Sequence, residues 1–465
     1  MARPELTLVL GLGESGLAMA RWLAREGVAL RVADSRDAPP GVDRLRAEAT
    51  TAEIVTGPFA DSLLDGVVRL AISPGLDPRQ PLVEAARARG IPVIGEMDLF
   101  AQALRDLGVR ETTRLIAITG TNGKTTTTTL VGEMLRGVGL DGVVAGNISP
   151  ATLDVVMARQ DAGEPMPQAW ALELSSFQLE TGPALGAASA TVLNVTDDHL
   201  DRYAGLDDYA ATKAAVFAGE GVQVLNRDDA RVKAMALAGR RVFTFGLDAP
   251  AGPDDFGVGV EAGTEWLARG GERLLQRSEL QLAGNHNVAN ALAALALCEA
   301  AGLPRDGLVA TLKAFRGLPH RVEKVAERAD GVSYYDDSKG TNVGATVAAL
   351  SGLGKRCLLI AGGEGKGQDF TPLAAPVAAH ARAVFLIGRD ASRLRDALAD
   401  TGVPLSDCAS LEEAVAQARA IARLGDAVLL SPACASFDMF RNYEHRSDVF
   451  VAAVRALGQD AGLPC

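Results

Sequence analysis

Cysteine and histidine are scarce in this chain of 465 residues, with five of each. Cys298, Cys357, Cys408, Cys434 and Cys465 stand far apart, which excludes a zinc knuckle or a CxxC redox pair. With no HExxH pattern either, a bound metal is expected on oxygen-rich ligands. Long hydrophobic runs are missing too. Nothing approaches the roughly 18 apolar residues of a spanning helix, so no membrane insertion is expected. The first apolar run, LTLVL, is cut short by glycine and is too brief for a secretory signal, so a cytoplasmic protein is expected. Positive charge is in deficit: 46 Lys and Arg against 58 Asp and Glu leave a net −12. That balance argues against a nucleic-acid groove or an anionic membrane surface as the main partner.

What is present is 48% apolar and 22% charged sequence, as in globular proteins, at a length that suggests about three domains. Short β-branched runs alternate with Ala/Leu/Arg-rich stretches, the pattern of parallel sheets covered by helices. LTLVL, ALRVAD and VVRLAIS read as a first strand series. RLIAIT, AWALELS, ATVLNVT and GVQVLN read as a second, and GVSYYDD, KRCLLIAGG, AVFLIG and DAVLLSPA as a third. The glycine- and charge-rich stretch 247–277 reads as a peripheral excursion of short antiparallel strands, and 285–303 as an amphipathic helix.

Polar motifs sit where these strands end. GLGESG (11–16) follows a strand and precedes a helix, with Asp34 closing the next strand. This is the glycine pattern of a nucleotide-phosphate turn, though alone it is weak. AITGTNGKTTTTTL (117–130) resembles a Walker A loop, with Gly123, Lys124 and Thr125 in place. Ile118 stands where the first glycine belongs, so the loop from Gly120 is shortened. Five threonines are a poor start for a helix on propensity, so their hydroxyls are expected to face an anion. Backbone N–H groups would cradle phosphates, Lys124 would neutralise them, and Thr125 would reach Mg²⁺. Glu173 ends another strand and is either a cation ligand or a solvated carboxylate. His199 stands among Asp197, Asp198 and Asp201, either a cation site or an acidic surface turn. DDSKGTN (336–342), GGEGKGQDF (362–370) and SPACASFDMF (431–440) crowd polar groups at three further strand ends, where α/β sheets place ligands.

Taken together, GTNGKTT, NVTDDHLDRY, DDSKGTN and SPACASFDMF make the chain resemble the Mur ligase family over essentially its whole length. These are ATP-dependent amide-forming ligases of peptidoglycan precursor synthesis, tied to cell shape and cell division. The central motifs are shared with folylpolyglutamate synthase. DSKGTN and SPACASFDMF point to the branch that adds D-glutamate to UDP-N-acetylmuramoyl-L-alanine. The resemblance implies three α/β domains in series. A Rossmann-like UDP-sugar-binding domain would span 1–108, and a P-loop-type ATPase with a mostly parallel sheet 109–317. A Rossmann-like amino-acid-binding domain would span 318–465.

The resemblance also implies roles. Ser15, Asp34, Ser35 and Gly75, with Asn147, match UDP-sugar positions. Gly120, Thr121, Asn122, Gly123, Lys124, Thr125 and Thr126, with Asn287, Arg321 and Asp337, match ATP positions. Thr125, Glu173, His199 and Lys213 match the groups serving two Mg²⁺ ions, Lys213 as a carbamylated lysine. Lys124, His199 and Lys213 are the implied catalytic set. Thr341, Lys366, Ser436 and Tyr443 match the D-glutamate positions. Tyr443 replaces a common phenylalanine, and only its backbone is expected to matter. A monomer is expected. Two rivals leave motifs idle: a nicotinamide dehydrogenase does not explain the Lys124 loop, and a non-ligating ATP module does not use Lys213.

Overall fold

The computed structural model describes residues 5–182, 184–199 and 202–460; Leu200, Asp201 and Cys465 lie outside the described residues. Three sheets follow one another along the chain. The first has five strands, all parallel, in the order 3-2-1-4-5. Its first strand, Leu6–Leu10, is central and buried, and feeds the helix Glu14–Arg25. Near-continuous apolar runs such as LTLVL suit a parallel strand covered on both faces.

The second sheet has nine strands. Its strand Arg114–Thr119 lies between Ala169–Glu173 and Ser189–Val192, parallel to both. The stretch read as a peripheral excursion of short antiparallel strands lies at the edge of this sheet, joined to it by one parallel pairing. Asp255–Glu261 pairs in parallel with Val242–Phe245, and Thr264–Arg269 and Glu272–Gln276 then add antiparallel strands at the edge. Phe256, Leu267 and Leu275 point into the shared core, so each short strand has apolar surface to bury. The helix Asn285–Ala300 is not amphipathic. It is buried nearly all round, with Ala291 through Cys298 fully enclosed. The third sheet has six strands, parallel except for the edge strand Glu323–Glu327.

The first two sheets share one hydrophobic cluster, which runs from Met19, Leu23 and Phe100 to Leu153, Trp170 and Val192. At its centre the Phe100 and Trp170 rings meet edge to face at 4.8 Å, both fully buried. Truncating either would cost about 3–5 kcal/mol. The third sheet has its own clusters, and its contacts with the second domain include the hydrogen bonds Arg321–Thr125 and Asn342–Asn122. Among the described residues, no helix is long and apolar enough to cross a membrane.

Candidate active site

The strand Arg114–Thr119 delivers the chain into a turn at Gly120–Gly123, and the helix Lys124–Gly137 starts there. Gly123 is left-handed (φ +85°), and a Cβ on it would lie 2.4 Å from Asn290 Oδ1, so only glycine fits. Asn194 clamps the loop from the other side. Its Oδ1 accepts from Asn122 N at 2.8 Å, and its Nδ2 donates to Asn122 O at 3.0 Å. Thr121 Oγ1 accepts from Thr196 N at 3.1 Å. The turn is therefore held from the neighbouring strand and from a packed helix, with free N–H groups at a helix start.

The threonine run divides. Thr125 Oγ1 accepts from Arg321 Nη2 at 2.8 Å. The hydroxyls of Thr127 and Thr128 are buried without partners. So the expectation that all five hydroxyls face an anion is wrong for at least these two. Successive helical residues are turned about 100° from one another, so a run of five spreads around most of the helix.

Two lysines converge on this turn. Lys124 Nζ donates to Gly120 O at 2.9 Å and to Thr121 O at 2.8 Å. Lys213 Nζ, on the helix Leu206–Ala214, donates to the same Gly120 O at 3.0 Å and sits 4.4 Å from the Tyr209 ring centroid. Lys213 is 1% exposed. Burial, then the charge of Lys124, holds its ammonium well below the usual lysine range, against a weaker pull from Asp198. Burial also pushes Lys124 down, opposed by Glu173 and Asp198. Burial first, and then a second cation on the same carbonyl, both disfavour the charged form of Lys213.

Glu173 is buried at the end of the adjacent strand. Its Oε1 accepts from Asn147 Nδ2 at 2.8 Å, and its Oε2 is buried with no partner. A buried carboxylate oxygen without a donor is costly, and a cation is a fitting partner. His199 is left-handed (φ +54°) and packs on Phe177 at 4.7 Å and Tyr209 at 6.5 Å. His199 thus faces the aromatic wall on which Lys213 rests.

The third sheet closes over this turn. Asn342 Nδ2 reaches Asn122 Oδ1 at 3.4 Å. Asp337 follows the strand Ser333–Asp336, and its Oδ2 accepts from Ser431 Oγ at 2.7 Å. Burial pushes its carboxyl up to about 7, although Ser431 and Arg321 pull the other way. Asn287 Nδ2 is held by Ala283 O at 2.8 Å, and Asn290 donates to Asn287 Oδ1 at 3.3 Å.

The remaining residues stand at the strand ends of the outer sheets. Asp34 lies under the glycine turn: its Oδ2 accepts from Leu12 N at 2.7 Å, and Arg36 binds both its oxygens. Arg36 holds its carboxyl down to about 2. Ser15 lies in the first turn of the adjoining helix, and Glu14 beside it accepts from Ser149 Oγ at 2.7 Å, across to the second domain. Ser35 is exposed after Asp34, and Gly75 lies in an open turn with nothing near a notional Cβ. Leu76, next to Gly75, has its carbonyl bound by Arg202 at 2.7 Å. In the third sheet Lys366 (φ +49°) is exposed and Ser436 is buried, and Glu364 and Ala435 exchange both backbone hydrogen bonds, which pairs the two loops that carry them. Thr341 lies in the turn whose Gly340 O accepts from Ala433 N at 3.0 Å. Tyr443 makes contacts through both its backbone and its side chain. Its carbonyl accepts from Ser338 Oγ at 2.8 Å, and its hydroxyl lies 3.2 Å from Lys339 Nζ.

Asn194, Asn290 and buried Arg446 were not singled out by sequence reasoning. Arg446 binds Ser338 O at 2.7 Å and Cys434 O at 3.1 Å, tying two loops together. Asn290 had one available signal: it lies one helical turn after Asn287 in HNVAN.

Three family models match in series: a Mur ligase MurD-like N-terminal domain over residues 5–95, the Mur ligase middle domain over 118–298 and the Mur ligase glutamate ligase domain over 320–434. The UDP-N-acetylmuramoylalanine–D-glutamate ligase of Aromatoleum aromaticum is 63% identical over 451 residues, 97% of each chain. The chain belongs to the Mur ligase family. The enzyme of the same name from Nitrosospira multiformis is 56% identical over 452 residues, covering 97% of this chain and 95% of that one. Among solved Mur ligase structures, the UDP-N-acetylmuramate-alanine ligase of Thermotoga maritima covers 98% of this chain and 100% of its own, with a TM-score of 0.56 at 18% identity. That likeness speaks for the fold, three mostly parallel α/β domains in series.

Proposed function

We infer that the protein joins D-glutamate to UDP-N-acetylmuramoyl-L-alanine, with ATP cleaved to ADP and phosphate, in peptidoglycan precursor synthesis. The carrying observation is the convergence at Gly120. A buried lysine amine, a second lysine and a buried carboxylate surround one phosphate-binding turn, and a third sheet closes over it. A carboxylate is a poor electrophile, so ATP first phosphorylates the L-alanine carboxylate to an acyl phosphate. The amine of D-glutamate then attacks, and phosphate leaves. Lys124 offsets the repulsion between the reacting anions.

Residues 1–108 form the UDP-sugar domain in this reading, with Ser15, Asp34, Ser35, Gly75 and Asn147 serving the sugar nucleotide. Residues 109–317 bind ATP through Gly120–Thr126 and Asn287, joined by Arg321 and Asp337. Residues 318–465 receive D-glutamate through Thr341, Lys366, Ser436 and Tyr443. Thr125, Glu173, His199 and Lys213 would hold two Mg²⁺ ions, and the unpartnered Glu173 oxygen fits that role. When bound, Mg²⁺ supplies charge neutralisation of the transferring phosphoryl group. Lys213 would serve as its carbamate. A neutral amine adds to CO₂ and loses a proton, and the product is an anionic oxygen donor where an ammonium could ligate nothing. Acyl phosphates hydrolyse readily, so the closed third sheet also serves to exclude water. The protein acts in the cytoplasm as a monomer.

The test is phosphate release from ATP across a panel of amino acids. It should require both UDP-N-acetylmuramoyl-L-alanine and D-glutamate. Release with another amino acid in place of D-glutamate, or with neither substrate present, would overturn the assignment.

A further inference from the structure

The turn Gly388–Asp390 has no place in the site so far, yet it touches both loops that carry Lys366 and Ser436. It follows the strand Ala381–Ile387 and precedes the helix Ala391–Leu398. Asp390 Oδ2 accepts from Gly365 N at 2.6 Å, and Asp390 N donates to Gly363 O at 3.0 Å. Both bonds grip the segment immediately before Lys366. On the other side, Arg389 N donates to Asp438 Oδ2 at 2.8 Å, two residues after Ser436. The Arg389 guanidinium also pairs with Glu364 at 2.7 Å.

Gly388 records how tightly these pieces meet. It is left-handed (φ +76°), and a Cβ there would lie 2.5 Å from Asp438 Oδ2 and 2.8 Å from Gly363 Cα and N. No side chain fits between the three loops. Lys366 itself sits at φ +49°, a conformation a lysine keeps only where its surroundings impose it. The segment before it has just those constraints, two hydrogen bonds from Asp390 and the paired strand-like exchange with Ala435.

We propose that Asp390, with Arg389, is a positioning residue for D-glutamate: it braces the Lys366 loop against the Ser436 loop and so fixes the spacing of the two side chains that grip the amino acid's carboxylates. This rests on the assignment of Lys366 and Ser436 under the proposed function. The hydrogen bonds of Asp390 go to the Lys366 loop and not to the phosphate turn. Its effect is therefore confined to the third substrate.

The experiment is steady-state kinetics on the full-length enzyme for Asp390→Ala, Asp390→Asn and Lys366→Ala, with each of the three substrates varied in turn. Asp390→Ala should raise the KM for D-glutamate at least tenfold while leaving the KM values for ATP and the sugar nucleotide within twofold. Asp390→Asn keeps an acceptor for Gly365 N–H and should recover most of the loss. An unchanged D-glutamate KM in Asp390→Ala, or an equal rise for all three substrates, overturns the proposal. So does an Asn variant no better than Ala. Lys366→Ala separates the two levels. If it leaves the D-glutamate KM unchanged, the site assignment fails and the brace with it. If it raises that KM and Asp390→Ala does not, only the brace fails. Should Asp390→Ala not fold, Asp438→Ala, which releases Arg389 N–H, carries the same expectation with a smaller rise.

Discussion

Arg321 Nη2 donates to Thr125 Oγ1 at 2.8 Å, joining the segment that enters the third sheet to the first helical turn after the phosphate-binding loop. The residues on either side of Arg321 are both left-handed, His320 at φ +63° and Val322 at φ +50°. Each costs about 1–3 kcal/mol and persists because its surroundings hold it. His320 Nδ1 lies 2.8 Å from buried Asp336 Oδ2, and His320 N donates to Glu323 Oε2 at 3.0 Å. The backbone is thus bent so that Arg321 points at the phosphate loop. Arg321→Ala should lower kcat/KM for ATP by ten- to a hundredfold, about 1.5–3 kcal/mol for hydrogen bonds made by a charged group. Arg321→Lys should recover little, since a lysine lacks the fork. A variant within threefold of the parent would show that the contact is incidental to ATP use.

The Lys213 amine shares Gly120 O with Lys124 and is buried against Tyr209. Lys213→Ala should be inactive in amide formation yet fold normally, and short carboxylates such as acetate should restore part of the rate by standing in for the carbamate. Mass spectrometry of the gently handled parent protein should find the added CO₂. Full activity without any added carboxylate would mean that this amine is only a packed lysine.

Lys124 braces two carbonyls of its own loop, Gly120 O and Thr121 O. Its charge matters most as the phosphoryl group transfers. Lys124→Ala should cost about 3–4 kcal/mol in the transition state, roughly a 10²–10³-fold fall in kcat. Thermal unfolding should shift little, because Asn194 and the helix carrying Asn290 still hold the turn. Near-normal phosphate release would remove the phosphate-loop reading.

Chemistry was easiest to read where an apolar strand runs into polar residues. Thr119, Glu173 and Asp336 each close such a run, and in a parallel sheet those ends face a ligand. What local pattern could not reveal was contact across long loops. Nothing near Thr125 points to Arg321, and nothing near Gly123 points to Asn290. Strands 255–276 were legible as short antiparallel peripheral strands, but their attachment to the nine-stranded sheet was not, because short, glycine-punctuated runs look the same whether they stand apart or extend a sheet. The threonine run misled for a simpler reason. Consecutive residues on a helix face different ways, so Thr125 reaches the site while Thr127 and Thr128 are buried.

Asp337 gives a pH dependence with a definite sign. Burial pushes its carboxyl from the ordinary aspartate value of 3.8 up to about 7. Between those two values the folded protein keeps a proton that the unfolded chain has released. Its contribution to stability therefore declines as pH rises from about 4 to about 7 and is level above that. Asp337→Asn removes the titration and keeps an acceptor for the Ser431 hydroxyl, which donates to Asp337 Oδ2 at 2.7 Å. The melting temperature of the parent relative to this variant should fall steadily across that window and then stay flat. Parallel curves for the two proteins would mean that Asp337 is already ionised when folded. In that case the Arg321 guanidinium, whose field favours the carboxylate, outweighs the burial that opposes it.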